Sequence, residues 1–122
     1  MELSQLATLA RKWIIAMNEH IVEDVLALYA DDARHISPAL RAQQPETNGI
    51  IYGKDALRSW WTDAFKRLPT LRYCLQTITA QAPNRVVIEY QRLVDGEEPF
   101  LVAEVFELNN DGFIQESRVY RG

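Results

Sequence analysis

The nine residues from Phe100 to Leu108 read Phe-Leu-Val-Ala-Glu-Val-Phe-Glu-Leu, with Asp95-Gly96 before them and Asn109-Asn110-Asp111-Gly112 after. Bulky and β-branched residues between hairpin-type turn signals predict a strand. Its period of two sets Phe100, Val102, Phe106 and Leu108 on one face, and Leu101, Ala103, Val105 and Glu107 on the other. Glu104 falls in the middle of the apolar face. A carboxylate buried there without a partner is costly, so the residue must either be paired or lose its charge.

The same punctuation extends outward. Residues 71–80, 85–94 and 113–120 read as further strands, with breaks at Ala82-Pro83-Asn84 and at the two turns already named. Upstream the period changes. Leu6, Leu9, Trp13 and Met17 recur at helical spacing and predict an amphipathic helix over 3–18. A second helix is expected over 22–29, with Glu23 and Asp24 in the first turn where the helix dipole favours acids. A third follows Gly53, presents Ala56, Leu57, Trp60, Trp61, Ala64 and Phe65 on one face, and stops at Pro69. Residues 34–37 look like a short strand ended by Pro38, and 39–52 look irregular and polar. Helices first and a meander afterwards give an α+β fold of one domain, residues 1–122, with three helices packed on a curved antiparallel sheet to form a cone.

Composition narrows the function classes. The 122 residues are 48% hydrophobic and 25% charged, with a net charge of −4 and no basic stripe, which argues against nucleic acid as a partner. No apolar run approaches a membrane span, and the first residues carry no basic leader, so a cytoplasmic protein is expected. Cys74 is the sole cysteine and reads as a small core residue of its strand. Two histidines without ligand spacing predict neither a metal site nor a cofactor. His20, between the first two helices, reads as a solvated turn residue.

Turn lengths suggest a register. A five-residue connection over 95–99 places Tyr90 opposite Glu104 and Arg92 diagonal to it; a four-residue turn over 109–112 places Ser117 on its other flank. Tyr90, Arg92, Glu104 and Ser117 then form a polar cluster in an apolar cavity. A plain Glu104–Arg92 salt bridge accounts for the same four residues.

Three segments, Leu-Ala-Leu-Tyr-Ala-Asp-Asp-Ala at 26–33, Tyr-Gly-Lys-Asp-Ala-Leu-Arg-Ser-Trp-Trp at 52–61 and Glu-Val-Phe-Glu-Leu-Asn-Asn-Asp-Gly at 104–112, occur in the order found in ketosteroid isomerases. Over nearly its whole length the chain resembles the nuclear transport factor 2-like, SnoaL-like superfamily. That resemblance implies the cone fold, an apolar pocket for a small carbonyl-containing molecule, and a homodimer formed through the sheet. It also locates the isomerase machinery. The general base, an aspartate before proline, corresponds to Ser37; the oxyanion-hole tyrosine corresponds to Trp13; the protonated aspartate that donates to the oxyanion corresponds to Glu104. Standard steroid isomerisation is therefore not expected.

His35, two residues before Ser37, shares its strand face and offers a substitute base whose ordinary pKa suits proton transfer near neutrality. The expected site thus has His35 and Glu104 as the acid–base pair, with Ser37, Tyr90, Arg92 and Ser117 orienting the ligand. Trp13, Trp60, Trp61 and Phe106 form its walls. Metal-free isomerisation, cyclisation or dehydration suits this set; a non-catalytic binding or dimerisation domain is the alternative. Epoxide hydrolysis needs aspartates inside the long strands, and there are none.

Overall fold

The computed structural model describes all 122 residues. Helix α1 spans Leu3–Glu19, α2 Val22–Leu26, α3 Pro38–Gln43 and α4 Lys54–Arg67. The strands are β1 Tyr29–Ile36, β2 Ile50–Tyr52, β3 Arg72–Gln81, β4 Arg85–Leu93, β5 Phe100–Leu108 and β6 Ile114–Arg121. They form one six-stranded sheet in the order β2-β1-β6-β5-β4-β3. The α+β cone is as expected, with one short helix more. One pairing is parallel, β1 with β6, because β1 enters beside the last strand from the helical half of the chain. No helix is long and apolar enough to cross a membrane.

Local chemistry explains the elements. Glu2 and Gln5 form a capping box at the start of α1, satisfying backbone N–H groups that the first turn leaves free. The buried stripe of α1, Leu6, Leu9, Ala10, Trp13, Ile14 and Met17, joins Val86, Ile88, Tyr90, Val102 and Phe106 from the sheet in a single core. Gly53 precedes α4 at φ 86, a backbone region that side chains with a Cβ rarely adopt.

Several expectations need correction. Residues 39–52 are folded: α3, a 3-10 turn over Pro45–Thr47 and β2 occupy them. Ser37 Oγ accepts the Leu40 N–H at 3.0 Å, and Pro38 sits at the first helical position, the ordinary signals of a helix start. Tyr29 does not end the second helix but opens β1, which is eight residues long. Exposed Asp31 and Asp32 fall within that strand, where its register with β6 shifts. Cys74 is exposed rather than buried, since on edge strand β3 it faces away from Tyr73 and Leu75. His20 is half-buried; its Nε2 lies 2.7 Å from the Leu71 carbonyl and its ring stacks on Phe65 at 4.3 Å.

Registers on both sides of β5 differ from the expected ones by two residues. Glu104 pairs with Ile88 and Val119, Tyr90 with Val102, and Ser117 with Phe106. The β4–β5 connection is longer than five residues, because Arg92 already pairs with Phe100, and a shift at Glu107/Leu108 absorbs an extra residue on β6. A slip of two keeps every side chain on its face, so the concave residues are the expected ones. On the outer face Leu101 is 52% exposed and Tyr120 55%, but Val105 is buried. Arg34, Glu116, Arg118, Glu107 and Arg85 run beside it as a row of ion pairs.

Candidate functional site

The concave face of β4, β5 and β6, the end of β1, and helices α1, α3 and α4 enclose a cavity of about 610 Å³. Trp13, Trp60, Trp61, Tyr73, Tyr90 and Val102 supply its apolar wall. Arg67, Glu97, Glu98 and Arg121, all exposed, lie at its mouth. Pro38, Ala39, Ala42 and Gln43 close one side. That wall exists because α3 is tied back: Ser37 N–H donates to the Gly49 carbonyl at 3.0 Å. Gly49 sits at φ 83, where a side chain is strained, and a Cβ there would crowd Arg41 Cβ at 3.1 Å.

Glu104 lines this cavity and is 1% exposed. Its Oε1 accepts the Tyr90 hydroxyl at 2.7 Å, reached diagonally across β4 and β5. Its Oε2 is buried and has no partner. Burial disfavours the ionised carboxylate and raises its pKa to about 8, although the Tyr90 hydrogen bond works in the opposite direction. The alternative, a Glu104–Arg92 salt bridge, is not made. Arg92 turns to the mouth, donating to Glu97 at 2.8 Å and lying over the Phe100 ring at 5.1 Å. With Arg92 paired elsewhere, desolvation dominates and favours the neutral acid at pH 7.

His35 reaches the same cavity from β1. Its Nδ1 lies 2.7 Å from Ser117 Oγ, and Nε2 has no protein partner. Burial pushes its pKa down to about 4, so the ring is neutral. Behind it runs a buried chain: Trp13 Nε1 donates to the Tyr29 hydroxyl at 3.2 Å, and Tyr29 donates to Ser117 Oγ at 2.9 Å. Desolvation first, and the nearby Glu104 second, raise the Tyr29 pKa far above the usual phenol range.

Of the residues singled out in the sequence, His35, Glu104, Trp13, Ser37, Trp60, Trp61, Tyr90 and Arg92 all border the cavity. Phe106 and Ser117 lie behind the wall, both 0% exposed. Phe106 packs edge-on against Trp13 at 5.1 Å, and Ser117 holds His35. Two participants escaped the sequence reading. Tyr73 stacks on Trp13 at 5.7 Å and lines the cavity; its alternation with Leu75 was the available signal. Tyr29 was hidden by its assignment to a helix. Nowhere do three His, Cys, Asp or Glu side chains converge as metal ligands would.

A family profile for the SnoaL-like domain matches residues 10–117. The chain belongs to the SnoaL-like family. A SnoaL-like protein of unknown function from Burkholderia thailandensis E264 is 24% identical, covering 100% of this chain and 98% of that one, with a TM-score of 0.87. A SnoaL-like protein from Agrobacterium tumefaciens C58, provisionally designated an isomerase, is 19% identical over 98% of both chains at a TM-score of 0.77. TerC, co-crystallised with polyporic acid, is 13% identical and covers 97% of this chain and 92% of that one at a TM-score of 0.80. Other solved neighbours are described as cystatin-fold and NTF2-like proteins. Among curated proteins none matches. At these identities the structural likeness establishes the fold.

Proposed function

We propose that this SnoaL-like protein binds a hydrophobic carbonyl compound in its cone and holds the carbonyl oxygen on the neutral carboxyl group of Glu104. The observation that carries this reading is the buried, unpartnered Oε2 of an acid whose pKa is pushed up to about 8. With Oε1 accepting from Tyr90, the acid's proton belongs on Oε2, where it has no acceptor within the protein. A buried donor left unsatisfied costs about 1–3 kcal/mol, which a ligand oxygen relieves. The aromatic wall supplies apolar contact, and the polar groups are few and placed, as in small-molecule sites generally. TerC, of the same fold, was co-crystallised with polyporic acid, which supports a small-molecule ligand.

A hydrogen bond from a neutral acid strengthens as negative charge develops on a carbonyl oxygen, so the same contact favours enolisation. His35 favours a catalytic reading because it is an imidazole lining the inner cavity, neutral at pH 7 where the buried phenols Tyr73 and Tyr90 keep their protons. As a base it would take a proton from the carbon beside the carbonyl and, with Glu104, perform metal-free isomerisation, cyclisation or dehydration. Its low pKa limits that capacity.

Calorimetric titration with 1-tetralone and with tetralin, which lacks the oxygen, tests the binding reading. Tetralone binds more tightly below pH 8 and loses the advantage above it; Glu104→Gln, which keeps a donor, retains binding, and Glu104→Leu loses it. Equal affinity for the two compounds would overturn the proposal. Exchange of the α-protons of bound tetralone in D₂O, abolished in His35→Gln, separates catalysis from binding.

A further inference from the structure

The concave sheet face changes character towards the mouth of the cone. Around Glu104 the paired neighbours are apolar, Ile88 and Val119. One step outward Tyr90 pairs with Val102 and Val102 with Arg121; a further step pairs Tyr73 with Arg92 and Arg92 with Phe100. Side chains two apart along a strand share a face. Arg92 and Arg121 therefore stand on the same concave surface as Glu104, Tyr90 and Val119, and both line the cavity. A wall built only for apolar contact has no use for two guanidinium groups.

The two arginines close over one ring. The guanidinium carbon of Arg121 lies 3.9 Å from the Phe100 ring centroid, and that of Arg92 lies 5.1 Å from it. An aromatic face attracts a cation electrostatically and takes none of its N–H donors. What those donors do differs from one mouth arginine to the next. Arg92 donates to Glu97 at 2.8 Å, and Arg67, from α4, donates to Asp63 at 2.7 Å. Arg121 makes no ion pair, and its guanidinium donates to no protein group. It is a cation located over Phe100 with its planar fork of donors open, which suits a carboxylate bidentately.

The surrounding charges set the size of the anion. Glu98, in the connection between β4 and β5, is the one acid at the mouth without an ion pair, and it opposes an anion there. A single uncommitted cation beside that acid suits a singly charged carboxylate rather than a doubly charged phosphate. The chain's net charge of −4 gives no general attraction for anions, so such recognition has to be local.

We propose that the ligand of this cone is an oxo acid, an apolar body whose carbonyl oxygen meets Glu104 inside and whose carboxylate is held at the mouth by Arg121. This deepens the reading above and rests on it for the Glu104 contact alone.

Calorimetry at pH 7 with 6-carboxy-1-tetralone, whose carboxylate lies at the end opposite the ketone, against its methyl ester tests the proposal. The acid is expected to bind about fivefold more tightly, the most that a partly exposed ion pair usually supplies. That preference should shrink as NaCl is raised to about 1 M, and Arg121→Gln should bring the acid down to the affinity of the ester. Equal affinities for acid and ester, both lost in Glu104→Leu, would overturn this inference and leave the carbonyl reading standing. An acid preference that survives in Arg121→Gln would overturn the assignment to Arg121. A preference erased by Arg121→Gln, with both affinities indifferent to Glu104→Leu, would uphold the carboxylate contact and overturn the carbonyl reading. Binding of neither compound would overturn both.

Discussion

Replacing Glu104 by glutamine isolates the energetic consequence of a buried acid. The two side chains have the same shape, and the glutamine carbonyl can accept the Tyr90 hydroxyl as Oε1 does. In the unfolded chain the carboxyl ionises near 4.5, whereas in the folded protein it holds its proton to about pH 8. The wild-type contribution to stability is therefore intact below pH 4.5 and is lost progressively as pH rises to 8. At 1.36 kcal/mol per pH unit the loss amounts to about 5 kcal/mol. Glutamine has no proton to lose. Urea denaturation of both proteins at fixed concentration, from pH 4.5 to 9, should show the variant gaining on the wild type by about 5 kcal/mol across that interval. His35 titrates alike in both and cancels from the difference. A difference in unfolding free energy that stays constant with pH would refute the desolvation argument.

Three further outcomes follow from the same structure. His35 has the opposite sign: with a folded pKa of about 4 against 6.5, its contribution is intact above pH 6.5 and falls by about 3 kcal/mol on acidification to pH 4. Denaturation of His35→Gln should lack that acid limb. We infer self-association through the outer sheet face around Leu101 and Tyr120, half-exposed apolar side chains beside a row of ion pairs; sedimentation should give a dimer at micromolar concentration, and Leu101→Lys should shift it to monomer. Turnover of a 5-ene-3-ketosteroid should fall below that of a ketosteroid isomerase by a factor of about 10²–10⁴, the usual worth of a general base. Ser37 stands where that base would be and spends its oxygen capping α3.

Sequence pattern carried the fold because it is a matter of period. The bounds of β5 coincide with those expected, and Glu104 was visible as the one charge on an apolar face. Register was less legible, since turn composition does not encode the length of the β4–β5 connection or the irregularity beside Leu108. The slip of two preserved the faces, so Tyr90 still reaches Glu104, only diagonally. Arg92 could not be resolved: whether it would pair with Glu104 or with Glu97 depended on that register and on the course of the loop after β4. Tyr29 was lost because Ala-Asp-Asp-Ala reads as a helix end, while in the fold the two aspartates sit exposed within β1. With Tyr29 went the chain from Trp13 to His35, which joins α1, β1 and β6 and has no trace in local sequence.

The central claim is that a neutral carboxylic acid waits in the cone. Carboxyl-resolved carbon-13 NMR of Glu104 in the ligand-free protein, titrated from pH 4 to 10, tests it most directly. The structure predicts a side chain still protonated at pH 7, with its midpoint near pH 8. A midpoint at or below pH 4.5 would mean an ionised Glu104, and the donor on which the proposed function depends would not exist.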